Sequence, residues 1–144
     1  MPTRIEVARS AEANDVLRLL KESDLPLDGL IEHLATTLVA RHDGRIIGSA
    51  ALEVYPDGAL LRSVAVASEF RGHGLGRELT EAAVRLAHDL HVPAIFLLTT
   101  TADRYFPRFG FERISRADVP AMVQTSVEFT TACPASAAVM RKRL

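Results

Sequence analysis

Arg71-Gly72-His73-Gly74-Leu75-Gly76, followed by Arg77, is the stretch of this chain whose residue types and spacing say most about chemistry. It lies between an apolar run, Leu60 to Val66, and a long amphipathic segment. A strand, a glycine-rich turn and a helix start, in that order, form a cradle for phosphate. The first-turn N–H groups have no intrahelical acceptor, and the helix dipole favours an anion beside them. Glycine lets the main chain approach such a ligand without a Cβ in the way. The spacing is R-x-x-G-x-G. It lacks the Lys-Ser/Thr of a Walker loop, and it is not G-x-G-x-x-G, because one residue separates Gly74 from Gly76.

Other reactive side chains are scattered. Arg62 interrupts an apolar strand and needs an anionic partner, unless it lies on a solvated sheet edge. Glu53, on the neighbouring strand, is either a proton acceptor or an outward-facing carboxylate. His33 is a weaker candidate for the same task. Ser63, Thr99, Thr100 and Ser126 offer hydroxyls. His88 and His91 are three apart beside a helix end but have no evident third ligand, so no metal is expected.

The elements that position these residues follow from periodicity. Arg4 to Ala8 reads as a strand, Ser10 as a helix cap, and Ala13, Val16, Leu17 and Leu20 as one helix face. Asp28 caps a short second helix through Leu34. Thr37 to Arg41 and Arg45 to Tyr55 are strands joined at Asp43-Gly44, and Ala59 to Val66 follows after Pro56-Asp57-Gly58. Leu75, Leu79, Ala82, Ala83, Leu86, Ala87 and Leu90 form the stripe of the best-defined helix, which Pro93 stops. Ala94 to Thr99 is a buried strand, Ala102 to Phe109 a short helix compromised by Pro107, and Phe111 to Ile114 another strand. Residues 115 to 135 are ambiguous, and Ala137 to Leu144 closes the sheet. An antiparallel meander followed by a β-α-β unit predicts an α/β (α+β) fold. Its central sheet is mixed but mainly antiparallel, with six to seven strands and helices on both faces.

Composition sets bounds on partners. At 144 residues, residues 1–144 form a single domain. A net charge of −1 without a basic run argues against nucleic acid or an anionic membrane as partner. The apolar runs are too short to span a bilayer, and the N-terminus lacks an apolar signal core. One cysteine, Cys133, excludes an intrachain disulfide framework, so a reducing cytoplasm is the expected compartment. A homodimer is left open.

The Arg71–Gly76 loop resembles the acyl-CoA pyrophosphate loop of the GCN5-related N-acetyltransferases. Leu61 to Val66 precedes it at that family's spacing, and Tyr105-Phe106-Pro107-Arg108-Phe109-Gly110-Phe111 is similar to the family's Y-x-x-x-G-F segment. The resemblance covers Ala59 to Ile114. It implies acetyl-CoA as co-substrate and a small-molecule amine acceptor. It further implies that Val64, Ala65 and Val66 pair with the pantetheine arm through their main chain, with the Val66 N–H near the thioester carbonyl. Main-chain amides of Gly72, His73, Gly74, Leu75, Gly76 and Arg77 would hold the pyrophosphate, with Arg71 and Arg77 adding charge.

One departure stands out. Phe106 occupies the position of the family's usual tyrosine, which protonates the departing thiolate. Adjacent Tyr105 would point about 100° away on a helix. It is expected to be a packed aromatic with a wet hydroxyl or, less simply, a substitute acid. The arrangement from Thr99-Thr100-Thr101-Ala102 to Gly110-Phe111 resembles N-acetylglutamate synthases. The tail Ala132 to Ala137, with Cys133-Pro134, resembles small acetyltransferases associated with arsenic resistance. The resemblance therefore implies an amino-acid-like acceptor such as arsinothricin, with glutamate acetylation as one alternative and a non-catalytic acyl-CoA sensor as another. It places Glu53 as base because Leu60 stands where a family carboxylate is usual. Arg62, Ser63, Thr99, Thr100 and His33 then contact the acceptor, and Cys133 is a small buried residue or a recognition contact rather than a nucleophile.

Overall fold

The computed structural model describes residues 4–132 and 134–144; Cys133 lies outside the described residues. Seven strands form one sheet: β1 (Arg4–Val7), β2 (Thr37–His42), β3 (Arg45–Tyr55), β4 (Gly58–Val66), β5 (Ala94–Thr99), β6 (Glu112–Ile114) and β7 (Ala138–Arg143). Their order is β1-β2-β3-β4-β5-β7-β6, so the last strand in sequence lies inside the sheet, between β5 and β6. Every neighbouring pair is antiparallel except β4 with β5. The turn at Asp43-Gly44 has positive φ at both residues, the geometry of the tight hairpin that their types favour.

Two helices pack on this sheet, α1 (Ala13–Glu22) and α2 (Leu75–Asp89). Val16, Leu19 and Leu20 of α1 and Leu75, Leu79, Ala83 and Ala87 of α2 join one core cluster. Leu90, at the end of the expected stripe, is exposed instead, because α2 has already ended at Asp89. Alternate residues of β4 and β5 serve opposite faces. Leu61, Ile95 and Leu97 join the cluster under the helices, whereas Leu60 and Phe96 join a second cluster with Val119, Val123 and Val139.

The departures from expectation are local. The helix expected from Asp28 to Leu34 is a 3₁₀ segment, Ile31–Thr36, interrupted at His33. The helix expected from Ala102 to Phe109 shrinks to a 3₁₀ turn, Phe106–Phe109, with Pro107 near its start where no donor is lost. Ser10 is not a cap; it opens a 3₁₀ turn that runs into α1. The ambiguous region contains short turns at Arg116–Asp118, Val123–Thr125 and Glu128–Ala132.

Candidate active site: a groove between two parting strands

β4 and β5 share register only from Ala59–Leu61 against Ile95–Leu97. Beyond these residues they part, and a cavity of about 370 Å³ opens between Leu61–Val64 on one side and Leu97–Ala102 on the other. A bulge in β4 accompanies the opening. The β3–β4 register shifts between Ser49 and Ala51, and Ser63 has φ of +59°, a costly conformation for a non-glycine residue. Buried Ser49 donates to the Ser63 carbonyl at 2.7 Å, and Arg62 Nε donates to Ser63 Oγ at 3.0 Å. The bulge is thus pinned from two sides. Nothing in the run Leu60 to Val66 signals it.

The bulge also determines which main-chain groups are available. The Ala67 N–H donates to the Ile47 carbonyl at 2.7 Å, on the β3 side. Because successive N–H groups alternate across a strand, that of Val66 points to the groove side. The Val66 carbonyl accepts from Arg71 Nε at 3.0 Å. Arg71 is therefore tethered to the strand end that precedes the loop.

At the loop, Gly72 and Gly74 have φ of +84° and +81°, and a Cβ at either would meet no protein atom within 4 Å. Their glycines serve backbone conformation, and the space above them is open. Gly74 directly precedes α2, so the N–H groups of Leu75, Gly76 and Arg77 have no intrahelical acceptor. Leu75 contributes main chain only, since its side chain is buried in the core. Arg77 is exposed and lies 3.5 Å from Glu81 as an i,i+4 pair. His73 is exposed.

The aromatic segment reaches the same groove. Phe106 is buried among Phe109 and Phe111 and lines the cavity. Tyr105 lines it too, because residues 102–109 are not the α-helix that would have separated the two rings. A Cβ built on Gly76 would be 3.5 Å from the Tyr105 hydroxyl and 3.7 Å from Val66 Cγ2. The tyrosine hydroxyl, the end of β4 and the first turn of α2 therefore converge, and Arg108 stacks on the outer face of the Tyr105 ring.

Arg62 needs the largest correction. Its side chain is fully buried, and its guanidinium makes four hydrogen bonds within the fold. Nη1 donates to Glu53 Oε2 at 2.9 Å and to the Asp28 carbonyl at 2.6 Å. Nη2 donates to the Pro26 carbonyl at 3.1 Å and lies 3.6 Å from Glu128 Oε2, while Nε is taken by Ser63. It is neither a solvated edge residue nor a free cation for a substrate acid. Glu53 is likewise not outward-facing; it is 1% exposed. Burial raises its pKa, but hydrogen bonds from Ser126, Tyr55 and Arg62 outweigh that and leave it below the usual carboxylate range. The Tyr55 hydroxyl donates to Glu53 Oε1 at 2.6 Å, and burial with that bond pushes the Tyr55 phenol upward. A carboxylate so engaged is a poor base.

His33 is 3.7 Å from Glu53 and lines a second cavity with Glu53, Tyr55 and Ser126, apart from Tyr105 and Phe106. Thr99 Oγ1 accepts from the N–H of Ala102 at 2.8 Å, so it caps a turn, and both Thr99 and Thr100 line the first cavity. Glu128, Tyr55 and Ser49 were not singled out from sequence. Glu128 stands alone in a hydroxyl-rich run without periodicity, and the bulge that employs Ser49 is silent in sequence. Among the described residues, no three His, Cys, Asp or Glu side chains gather as a metal site, and no helix is long and apolar enough to cross a membrane.

Comparison with known proteins matches this architecture. Residues 33–113 fit the family model described as an acetyltransferase (GNAT) domain. An uncharacterized N-acetyltransferase of Chlorobaculum tepidum is 32% identical, over 84% of this chain and 83% of its own. An amino-acid acetyltransferase of Mycobacterium tuberculosis is 34% identical over 65% of this chain and 56% of its own. The chain spans only about 27% of longer proteins of that name, such as the one from Pasteurella multocida. Among solved structures, N-acetylglutamate synthase from Neisseria gonorrhoeae, complexed with coenzyme A and N-acetyl-glutamate, has a TM-score of 0.84 at 22% identity. It covers all of this chain and 35% of the synthase chain. A Mycobacterium tuberculosis protein in complex with CoA has a TM-score of 0.82 at 25% identity, covering 98% of this chain and 99% of its own.

Proposed function

The chain belongs to the GNAT acetyltransferase family, and from that premise we propose that it transfers acetyl from acetyl-CoA to the α-amine of a small amino acid or an amino-acid-like toxin such as arsinothricin. The observation that carries this reading is a convergence: a Cβ on Gly76, in the first turn of α2, would lie 3.5 Å from the hydroxyl of Tyr105, which lines the cavity, and 3.7 Å from Val66 Cγ2 at the end of β4. Loop amides suit the pyrophosphate, with Arg71 beside them. The parted edge of β4 suits the pantetheine arm, which would add to it like a strand. The neutral amine attacks the thioester carbonyl, and the N–H of Val66 stabilises the oxyanion. As the intermediate collapses, the C–S bond breaks, and Tyr105 gives its phenolic proton to the thiolate and regains one from water. Phe106 cannot do so; it shapes the cavity wall. Glu53, held by Arg62 and Tyr55, supports the acceptor side of the fold, and the amine gives its proton to water.

The amino-acid acceptor draws its support from relatives named amino-acid acetyltransferase. A neighbouring fold that carries N-acetyl-glutamate makes glutamate the second reading. A panel of L-glutamate, L-glutamine, arsinothricin and simple alkylamines, followed by CoA thiol release, tests the proposal. Thiol release with an α-amino acid, above that with alkylamines, is expected. Tight acetyl-CoA binding with no release for any amine would reduce the protein to an acyl-CoA sensor.

A further inference from the structure

β3 and β4 do not keep one register along their length. Ala51 pairs with Arg62 and Ser49 with Ala65, so two steps on β3 answer three on β4. β4 therefore carries one extra residue, and Ser63 holds the positive φ for which glycine is usual in such a bulge. The extra residue decides where the N–H of Val66 points. Had the register of Ala51 with Arg62 continued, Val66 would stand opposite Ile47. The Ile47 carbonyl faces β4, where it accepts from the Ala67 N–H at 2.7 Å. An unbroken ladder would give that carbonyl to Val66 instead. The bulge moves the partnership on by one residue and turns the Val66 N–H to the other side of the strand, toward the groove. A serine at positive φ persists only where its surroundings hold it. Ser49 is fully buried on β3 beside the bulge, and its hydroxyl donates to the Ser63 carbonyl at 2.7 Å. Arg62 Nε holds the Ser63 hydroxyl at 3.0 Å.

We infer that Ser49 is a positioning residue for acetyl transfer: through the Ser63 carbonyl it holds the bulge that aims the Val66 N–H at the thioester oxygen. The inference rests on the acetyl-transfer reading above. Negative charge develops on that oxygen only as the amine attacks, so the N–H acts on the transition state more than on the bound substrates. Loss of the Ser49 hydroxyl is therefore read in kcat rather than in binding. Ser49 itself touches neither substrate; it lies on β3, behind the strand that lines the groove.

Ser49→Ala and Ser49→Cys test this together, with the best amine of the panel as acceptor. Alanine removes the hydroxyl, and cysteine fills its space but donates only weakly. Both are expected to lower kcat at least tenfold, with acceptor KM and acetyl-CoA affinity within threefold of wild type. A wild-type kcat in the folded alanine variant would overturn the inference while leaving acetyl transfer intact. A wild-type kcat in the cysteine variant alone would overturn it too, because packing rather than the hydrogen bond would then suffice. Wild-type protein that binds acetyl-CoA but acetylates no amine would instead overturn the underlying reading, and this one with it. Should the variants fail to fold, amide hydrogen exchange of the free wild type decides. The Val66 amide is expected to exchange at least a hundredfold faster than that of Ala67, which is bonded to Ile47. Equal protection of the two amides would contradict the assignment.

Discussion

The two ends of the β4–β5 groove are built from different material. The end proposed for the donor is main chain: Gly72 and Gly74 at positive φ and the first turn of α2. The end proposed for the acceptor is side chain: Arg62 joins Glu53, Glu128 and the carbonyls of Pro26 and Asp28. A main-chain cradle needs only a particular local conformation, so it can bind the same phosphates in any context that supplies that conformation. A side-chain cluster depends on segments distant in sequence and can be altered one residue at a time. The difference suits a protein with one fixed co-substrate and an adjustable partner for it.

Breaking the acceptor end should have the largest effect on the fold. Arg62→Met leaves two buried carboxylates without their cation, and a loss of about 3–5 kcal/mol is expected, read from the denaturant midpoint. A loss below about 1 kcal/mol would mean that the cluster does not carry the acceptor wall. Gly29→Ala places a Cβ 2.9 Å from Val127 Cγ1 at a residue with φ of +78°. A cost of about 1–2 kcal/mol is expected, together with a raised acceptor KM.

Tyr105→Phe sharpens the boundary between the two ends, since its hydroxyl lies where they meet. A fall in kcat of about tenfold is expected with acetyl-CoA binding unchanged. That is below the usual general-acid contribution, because a thiolate with a pKa near 8.5 leaves readily. An unaltered kcat would remove Tyr105 as the acid.

The smallest effect is a control remote from the groove. Arg41 binds Glu12 through Nε and Nη2, at 2.7 and 2.6 Å, where β1 and β2 meet the start of α1. The hydrogen bond from Arg41 leads the causes that lower Glu12 from its ordinary 4.5 to about 2. Because folding lowers this pKa, the stabilisation is complete above about pH 4.5 and is lost as the pH falls toward 2. Glu12→Gln is expected to cost about 1 kcal/mol at neutral pH and to flatten acid unfolding in that window, with both substrate affinities unchanged. A changed acceptor KM would blur the contrast between local and general effects.

The same contrast explains what could be read from the amino-acid sequence. The glycine loop and α2 were legible because their determinants are local: spacing, positive-φ residues and an apolar stripe. The bounds of β3 and β5 followed from turns and a buried run. The Ser63 bulge was not legible, because it depends on a hydroxyl from β3, and a serine in an apolar strand has no periodic signature. Arg62 was rightly read as needing a partner. Those partners lie up to 36 residues away among its hydrogen bonds, and further still at Glu128, so spacing could not name them. Residues 115–135 resisted assignment because 3₁₀ and π turns of three to five residues are too short to display a period.

Calorimetric titration of acetyl-CoA into wild type and Gly74→Glu tests most directly whether the donor is held by the main chain of the loop. The substitution puts a side chain at φ of +81° and a negative charge beside the first-turn amides. The prediction is clear binding to the wild type and at least 100-fold weaker binding to the variant, with the fold retained. Equal affinity in the two proteins would place the co-substrate elsewhere and contradict the account.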